Sequence, residues 1–217
     1  MVRLFAHRGF AKDKVSQNTI ASLNQAHKKG FEAIEFDIWF VAGELVLKHD
    51  LPKKSELKNL PRFCEYLTFK NDFYYWLDFK NLNEKNAATA LKIAKEQIEK
   101  AAILPDKIYI APFITDYKLA AKIFKIIRKT FGKKVQLVAV CEELKNFEQI
   151  KLLRDFLEKN EVKFLSIFHQ LLDKTFVKIF PKTEIFAWTV NDLQRIGELE
   201  ALGVKNFATD KILPQNL

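Results

Sequence analysis

The chain has 217 residues, 48% hydrophobic and 29% charged, the composition of a folded globular protein with material for one buried domain over 1–217. No apolar run reaches the roughly 18 residues a spanning helix needs, which argues against stable membrane insertion. Lys and Arg number 36 against 27 Asp and Glu, giving +9, but the lysines lie scattered over helix faces with no like-charge block and no aromatic-basic ladder. That pattern speaks against a nucleic-acid partner and for mild attraction of small anions.

Met1-Val2-Arg3 runs straight into a first strand, so a cytoplasmic location is expected. Cys64 and Cys141 have no C-x-x-C partner and are expected as reduced thiols. The apolar run Arg3 to Ala6 is broken at once by Gly9, which places His7 and Arg8 at the mouth of a strand. A histidine there can exchange a proton near neutral pH, and the adjacent guanidinium is a planar fork of donors suited to phosphate or carboxylate. A helix from Ile20 to Lys29 follows, with Asn18 as its expected N-cap, Gly30 as its stop and His27 as a surface histidine.

Phe31 to Phe40 reads as a strand in which Glu35 and Asp37 share one face, while Ile34, Phe36 and Ile38 point the other way. Like charges side by side on so apolar a strand raise each other's pKa unless a cation sits between them. A hard divalent ion with oxygen ligands is the simplest remedy. Gly43-Glu44 turns the chain into Leu45 to Asp50, and a hairpin there brings His49 within about two residues of Asp37 across the ladder. After an irregular stretch from Leu51 to Lys70, with a helical turn or two near Phe63 to Leu67, the strand Asp72 to Lys80 puts Asp78 and Lys80 on one face.

The remainder alternates: helices at 84–102, 117–131, 146–159, 173–180 and 192–202, and strands at 107–111, 135–140, 163–168, 184–190 and 206–209. Such alternation means parallel strands with right-handed crossovers, and over this many units an irregular (β/α)8 TIM barrel. The ninth strand candidate is accounted for by the hairpin near 35–49. In such barrels function lies at the C-terminal strand ends, where His7, Arg8, His49, Lys80, Trp188 and Thr209-Asp210 would gather; His169 is a further rim position, and Trp188 could stack on a ligand or fill the interior.

Taken in order, His7-Arg8-Gly9, Asn18-Thr19, Glu35-Phe36-Asp37, His49-Asp50, Asp78-Phe79-Lys80, Trp188-Thr189-Val190-Asn191 and Thr209-Asp210 make the chain resemble the glycerophosphodiester phosphodiesterase family nearly end to end. The resemblance implies a phospholipase-C-like barrel that hydrolyses glycerophosphodiesters to glycerol phosphate and an alcohol. It implies one divalent cation, Mg²⁺ or Ca²⁺, on Glu35, Asp37 and Asp78, an acid and base pair in His7 and His49, and phosphate cations in Arg8 and Lys80, with Trp188 against a small-molecule phosphodiester.

Three positions depart from the family pattern. Ser16-Gln17 stands where Pro-Glu is usual, Asp78 where Glu is usual, and the insertion after the third strand is strongly shortened. Binding without turnover, a lysophospholipid substrate, and a metal-dependent lyase or isomerase on a sugar phosphate are the competing readings; the last gives no reason for two rim histidines.

Overall fold

A computed structural model describes residues 2–14, 16–67, 73–144 and 146–217. The strands are β1 (Arg3–Ala6), β2 (Ala33–Val41), β3 (Glu44–Leu47), β4 (Tyr74–Phe79), β5 (Ile108–Pro112), β6 (Gln136–Cys141), β7 (Phe164–Phe168), β8 (Glu184–Trp188) and β9 (Asn206–Thr209). The helices are α1 (Ile20–Lys28), α2 (Phe63–Leu67), α3 (Ala87–Lys100), α4 (Tyr117–Phe131), α5 (Phe147–Lys159), α6 (Lys174–Ile179) and α7 (Leu193–Ala201).

Strand order is β1-β9-β8-β7-β6-β5-β4-β2, and parallel pairing of β1 with β2 closes the ring. The hairpin strand β3 lies outside it, antiparallel to the far end of β2 from Ile38↔Leu47 to Val41↔Glu44. The expected irregular barrel with a supernumerary hairpin strand is therefore the observed one. Between β3 and β4 the described chain holds only a 3₁₀ turn at Leu57–Asn59 and α2. The expected start of β4 at Asp72 and the end of the irregular stretch at Lys70 fall outside the described residues.

The two-residue period of the strands sorts side chains into two cores. Ile34, Phe36, Ile38, Leu77 and Ile110 pack outward beneath the helices. Phe5, Ala33, Trp76, Tyr109, Val138 and Phe186 point inward. The inner set is an aromatic plug, with Trp76 edge-on to Phe5 at 5.6 Å and to Phe186 at 5.1 Å between ring centroids. Edge-to-face rings of this kind contribute about 0.5–1.5 kcal/mol per pair beyond their buried area. The helices read as their spacing predicts: α3 buries Ala87, Ala90, Leu91, Ala94 and Ile98, one stripe at three- and four-residue steps.

Several boundaries move for local reasons. Helix α3 begins at Ala87, and not at 84, because the Asn83 side chain accepts from the Lys85 and Asn86 backbone N–H groups and holds a turn there. The N-cap of α1 is Thr19, not Asn18: Thr19 Oγ1 accepts from Ser22 N, and Ser22 Oγ accepts in return from Thr19 N. Asn18 lies just outside with φ +56 and is used elsewhere.

Gly9 has φ +72, and a Cβ built on it would lie 2.2 Å from Ser22 Oγ and 2.8 Å from the Ser22 carbonyl carbon. The β1–α1 loop thus presses its backbone onto the first turn of α1, and only glycine permits the approach. Gly9→Ala should cost about 2–4 kcal/mol in urea unfolding, and removing the hydroxyl as well in Gly9→Ala/Ser22→Ala should not restore it, because a backbone atom remains in the way.

Candidate active site

On β1, β4 and β8 one further inward position follows the aromatic plug, and these positions line the cleft. His7 follows Phe5, Asp78 follows Trp76, and Trp188 follows Phe186. The eight residues given a catalytic, metal or substrate role by the family resemblance line this one hollow of about 90 Å³: His7, Arg8, Glu35, Asp37, His49, Asp78, Lys80 and Trp188. A water claims about 30 Å³ of liquid, so the hollow takes a phosphate-sized group and leaves the rest of a ligand at the rim. A larger depression of about 720 Å³ between α5 and α6 on the barrel flank contains none of these residues.

The register of β2 and β4 sets Asp37 directly opposite Asp78. Lys80 separates the two charges, its Nζ 2.8 Å from Asp37 Oδ1 and 2.6 Å from Asp78 Oδ2. Arg8 completes the frame: its backbone N–H donates to Glu35 Oε2 at 2.9 Å, its Nε lies 3.1 Å from Asp37 Oδ2, and its Nη1 donates to Gln17 Oε1 at 3.0 Å. Gln17, standing where the family usually has Glu, therefore still holds the guanidinium. Asn18 clasps Asp37 from both sides, donating Nδ2 to Oδ2 at 2.7 Å and accepting the Asp37 backbone N–H at 3.0 Å.

Glu35 and Asp37 are buried, with relative exposures of 3% and 1%. Burial pushes the Glu35 carboxyl well above its ordinary value, and the neighbouring Asp37 charge pushes the same way. Burial also pushes Asp37 up, but Lys80 and Arg8 outweigh it and hold that group below the usual carboxylate range. Asp78 is raised, by burial first and by Asp37, against the opposing pull of Lys80. Burial alone would lower Lys80; Asp78 and Asp37 reverse this and raise it, so it stays an ammonium.

One oxygen from each of Glu35, Asp37 and Asp78 lies within 4.8 Å of the others. Asp78 Oδ1 is buried and has no hydrogen-bond partner. An orphaned carboxylate oxygen in an all-oxygen set, one negative charge in excess over Lys80 and Arg8, is the donor chemistry a hard divalent cation takes. The residues fit Mg²⁺ or Ca²⁺.

The two histidines differ in setting. His7 is 8% exposed. Its Nδ1 lies 2.8 Å from Asp210 Oδ1, while Nε2 faces Glu35 Oε2 at 3.8 Å. A carboxylate only accepts, so Nδ1 carries the proton and Nε2 is left as the acceptor nitrogen on the Glu35 side. Asp210 is itself fixed by Asn191, whose Nδ2 donates to Oδ2 at 3.3 Å and whose Oδ1 accepts the Asp210 backbone N–H at 2.8 Å. Burial would raise Asp210, but the His7 and Asn191 bonds prevail and lower it. His49 stands at the open rim, 46% exposed at the side chain, with Nδ1 2.8 Å from Asp50 Oδ1. It follows Lys48, whose N–H meets the Asp37 carbonyl at 3.3 Å, so the expected proximity across the hairpin holds.

His169 does not line the cleft; its ring packs on Phe168, which separates it from Trp188. Thr209 turns away as well, and its hydroxyl donates to Asn191. His27 is exposed on the last turn of α1, edge-on to Phe73. Cys64 and Cys141 are unpaired, and burial raises the Cys141 thiol to about 12, which leaves it inert. Cleft residues that the sequence reading passed over are Trp76, Phe113, Val140, Glu142, Ser166 and Ala208. Continuing the two-residue alternation one step past each strand end would have found Phe113 and Glu142.

No protein-family model matches the sequence, and no curated protein matches it. Solved structures do. A glycerophosphodiester phosphodiesterase of Parabacteroides distasonis is 23% identical with a TM-score of 0.74, over 96% of this chain and 92% of its own. A phosphodiesterase of Oleispira antarctica in complex with the product sn-glycerol-3-phosphate is 18% identical with a TM-score of 0.76, over 96% and 92%. A calcium-dependent phosphoinositol-specific phospholipase C of a Pseudomonas species is 11% identical with a TM-score of 0.63, over 97% and 88%. None of the described helices is long and apolar enough to cross a membrane. The chain has the TIM-barrel fold of these phosphodiesterases.

Proposed function

We propose that the chain belongs to the glycerophosphodiester phosphodiesterase family and is a metal-dependent hydrolase that cleaves glycerophosphodiesters to glycerol phosphate and an alcohol. One observation carries the reading: two carboxylate-bonded histidines flank a buried set of three carboxylates and two cations in one phosphate-sized cleft. Both the fold and the neighbour that holds sn-glycerol-3-phosphate support it. A lyase or isomerase has no use for the second histidine.

Glu35, Asp37 and Asp78 would hold the divalent ion, which when bound polarises a phosphoryl oxygen and offsets the charge of the phosphate. Arg8 and Lys80 bind and orient the phosphate. His7, with Nε2 free and Nδ1 anchored on Asp210, takes the proton of the nucleophile. His49, at the rim where a leaving alcohol departs, gives a proton to the bridging oxygen. Neither can serve both sides of the phosphorus at once, so the rate should follow a bell in pH, one histidine neutral and the other charged.

Turnover of glycerophosphocholine, glycerophosphoethanolamine, glycerophosphoglycerol and a chromogenic phosphodiester, with and without added Mg²⁺ or Ca²⁺, tests the reading. Activity that vanishes on chelation and returns with metal is expected; binding of diesters with no turnover under any metal would overturn it. His7→Ala and His49→Ala should each lower kcat by about 10² to 10⁴. Only His49→Ala should lose more with an alkoxide leaving group than with nitrophenolate, and equal losses for both leaving groups would remove His49 as the acid. Asp210→Asn, which presents the wrong partner to Nδ1, should lower kcat by about 10² to 10⁴ with KM little changed.

Glu35 carries the excess charge of the metal-free cluster. Because its pKa is raised on folding, its contribution to stability is present in acid and is lost as pH rises through that raised value. Metal-free protein should accordingly melt lower as pH is raised. Glu35→Gln should flatten that limb, raise the metal-free Tm at neutral pH by about 2–4 °C per kcal/mol relieved, and abolish stabilisation by added Mg²⁺ or Ca²⁺.

A further inference from the structure

The mouth of the barrel has two walls of different chemistry. Strands β1, β2 and β4 bring the carboxylates, Arg8 and Lys80; strands β5 to β8 bring Phe113, Val140, Ser166, Trp188 and, one residue past the end of β6, Glu142. Val138 and Val140 face the interior, so by alternation Glu142 is the next inward position on that strand. It is the one ionisable side chain among the cleft residues of the second wall.

Each carboxylate of the first wall has at least one partner: Glu35 the Arg8 backbone N–H, Asp37 and Asp78 the Lys80 ammonium, Asp210 the His7 ring. Glu142 is exposed and makes no hydrogen bond or ion pair with any described residue. It also lies outside the carboxylate triad that could hold a metal. The same wall carries the half-buried Trp188, supported from behind by Phe168 at 5.5 Å. Phe113 already holds a cation, the Lys80 ammonium, 4.5 Å from its ring centre.

A phosphate seated on Arg8 and Lys80 leaves its alcohol to cross toward the second wall, since the aromatic plug closes the floor. Across the wall a neutral alcohol would gain nothing from Glu142, an anionic one would be repelled, and a cationic one would meet both a free carboxylate and an indole face. We propose that Glu142 and Trp188 form a subsite for the positively charged alcohol of a zwitterionic phosphodiester, making diesters with an ammonium-bearing alcohol the preferred class. This rests on the phosphodiesterase reading of the cleft.

The test compares kcat/KM for glycerophosphocholine and glycerophosphoethanolamine with that for glycerophosphoglycerol, whose alcohol is neutral and of similar size. The parent protein should favour the cationic diesters by about fivefold to thirtyfold, as one half-exposed ion pair and one cation–π contact allow. Glu142→Gln should bring the ratio down to the roughly twofold to fivefold that the Trp188 contact alone allows, and raising salt should shrink it in the parent only. Glu143→Gln, one residue along, should keep the parent's ratio. A parent ratio near one, or a ratio unchanged by Glu142→Gln, would overturn the subsite. Should no diester be turned over with either metal, the phosphodiesterase reading fails by itself; calorimetric titration of the same three diesters into the same two proteins still reads the preference, and equal affinities there would overturn the subsite too.

Discussion

Two aspartates set side by side by strand register are the constraint on which this molecule turns. Asp37 and Asp78 are direct partners across β2 and β4, both inward, in a barrel too narrow to solvate them. Like charges opposite one another destabilise a sheet, and at low local dielectric the cost grows. Lys80 answers it from one residue past the end of the strand that carries Asp78: two residues on, it points the same way, and its ammonium reaches both carboxylates. Arg8 and Asn18 answer it from the β1–α1 loop. Because those two residues bind Asp37, the loop that carries His7 is tied to the strand that carries Glu35 and Asp37, and the spacing between the histidine and the carboxylates is held by an ion pair and a hydrogen bond.

The backbone yields to that arrangement. Arg8 has φ +53 and Asn18 φ +56, left-handed conformations that only asparagine of the two tolerates readily. Gly9 sits between them in the same region because its backbone must touch Ser22. Three such residues in one loop are a local cost, and the interactions that offset it are those of the cleft: the Arg8 N–H on Glu35, the Arg8 guanidinium on Asp37, the Asn18 amide on Asp37. Order in the loop and order in the site are one equilibrium. A second tie closes the ring from the other end of the chain, where Ala6 pairs with Thr209, so that His7 and Asp210 meet one step beyond.

What the sequence could and could not disclose follows from the range of each interaction. Strand alternation is local, so the shared face of Glu35 and Asp37, and that of Asp78 and Lys80, could be read directly, as could the hairpin that brings His49 near. The barrel followed from the alternation of strands and helices. Asn18 was misread because a polar residue before an apolar stripe looks the same whether it caps the helix or reaches a strand far along the chain; only the φ +56 turn at that residue sends its side chain to Asp37. Thr209-Asp210 was visible as a motif, but Asp210's role as partner of His7 depends on β1–β9 register, a contact between the two ends of the chain. Gln17 does stand in place of a carboxylate; what the sequence did not disclose is that its amide oxygen accepts from Arg8.

The depth of the cleft carries the remaining argument about selectivity. Trp76 lies directly beneath Asp78 on β4 and is locked edge-on against Phe5 and Phe186, so the barrel interior is filled to just below the carboxylates. A phosphodiester of the proposed class could not descend; it would seat its phosphate and spread its two ester arms across the rim. The short run from β3 to α2 adds little cover there, with Leu51, Lys53 and Lys54 all exposed. On the proposed phosphodiesterase reading, a rim over which the described residues place no enclosing cover offers no buried group to leave unpaired against a wrong alcohol, which is how ratios of thousands arise. It would have to come from what the rim itself presents, Glu142 and Trp188 on the far wall, acting through partly screened contacts. On the proposed reading the phosphate would then supply most of the binding, and the alcohol would be sorted only coarsely, by the sign of its charge.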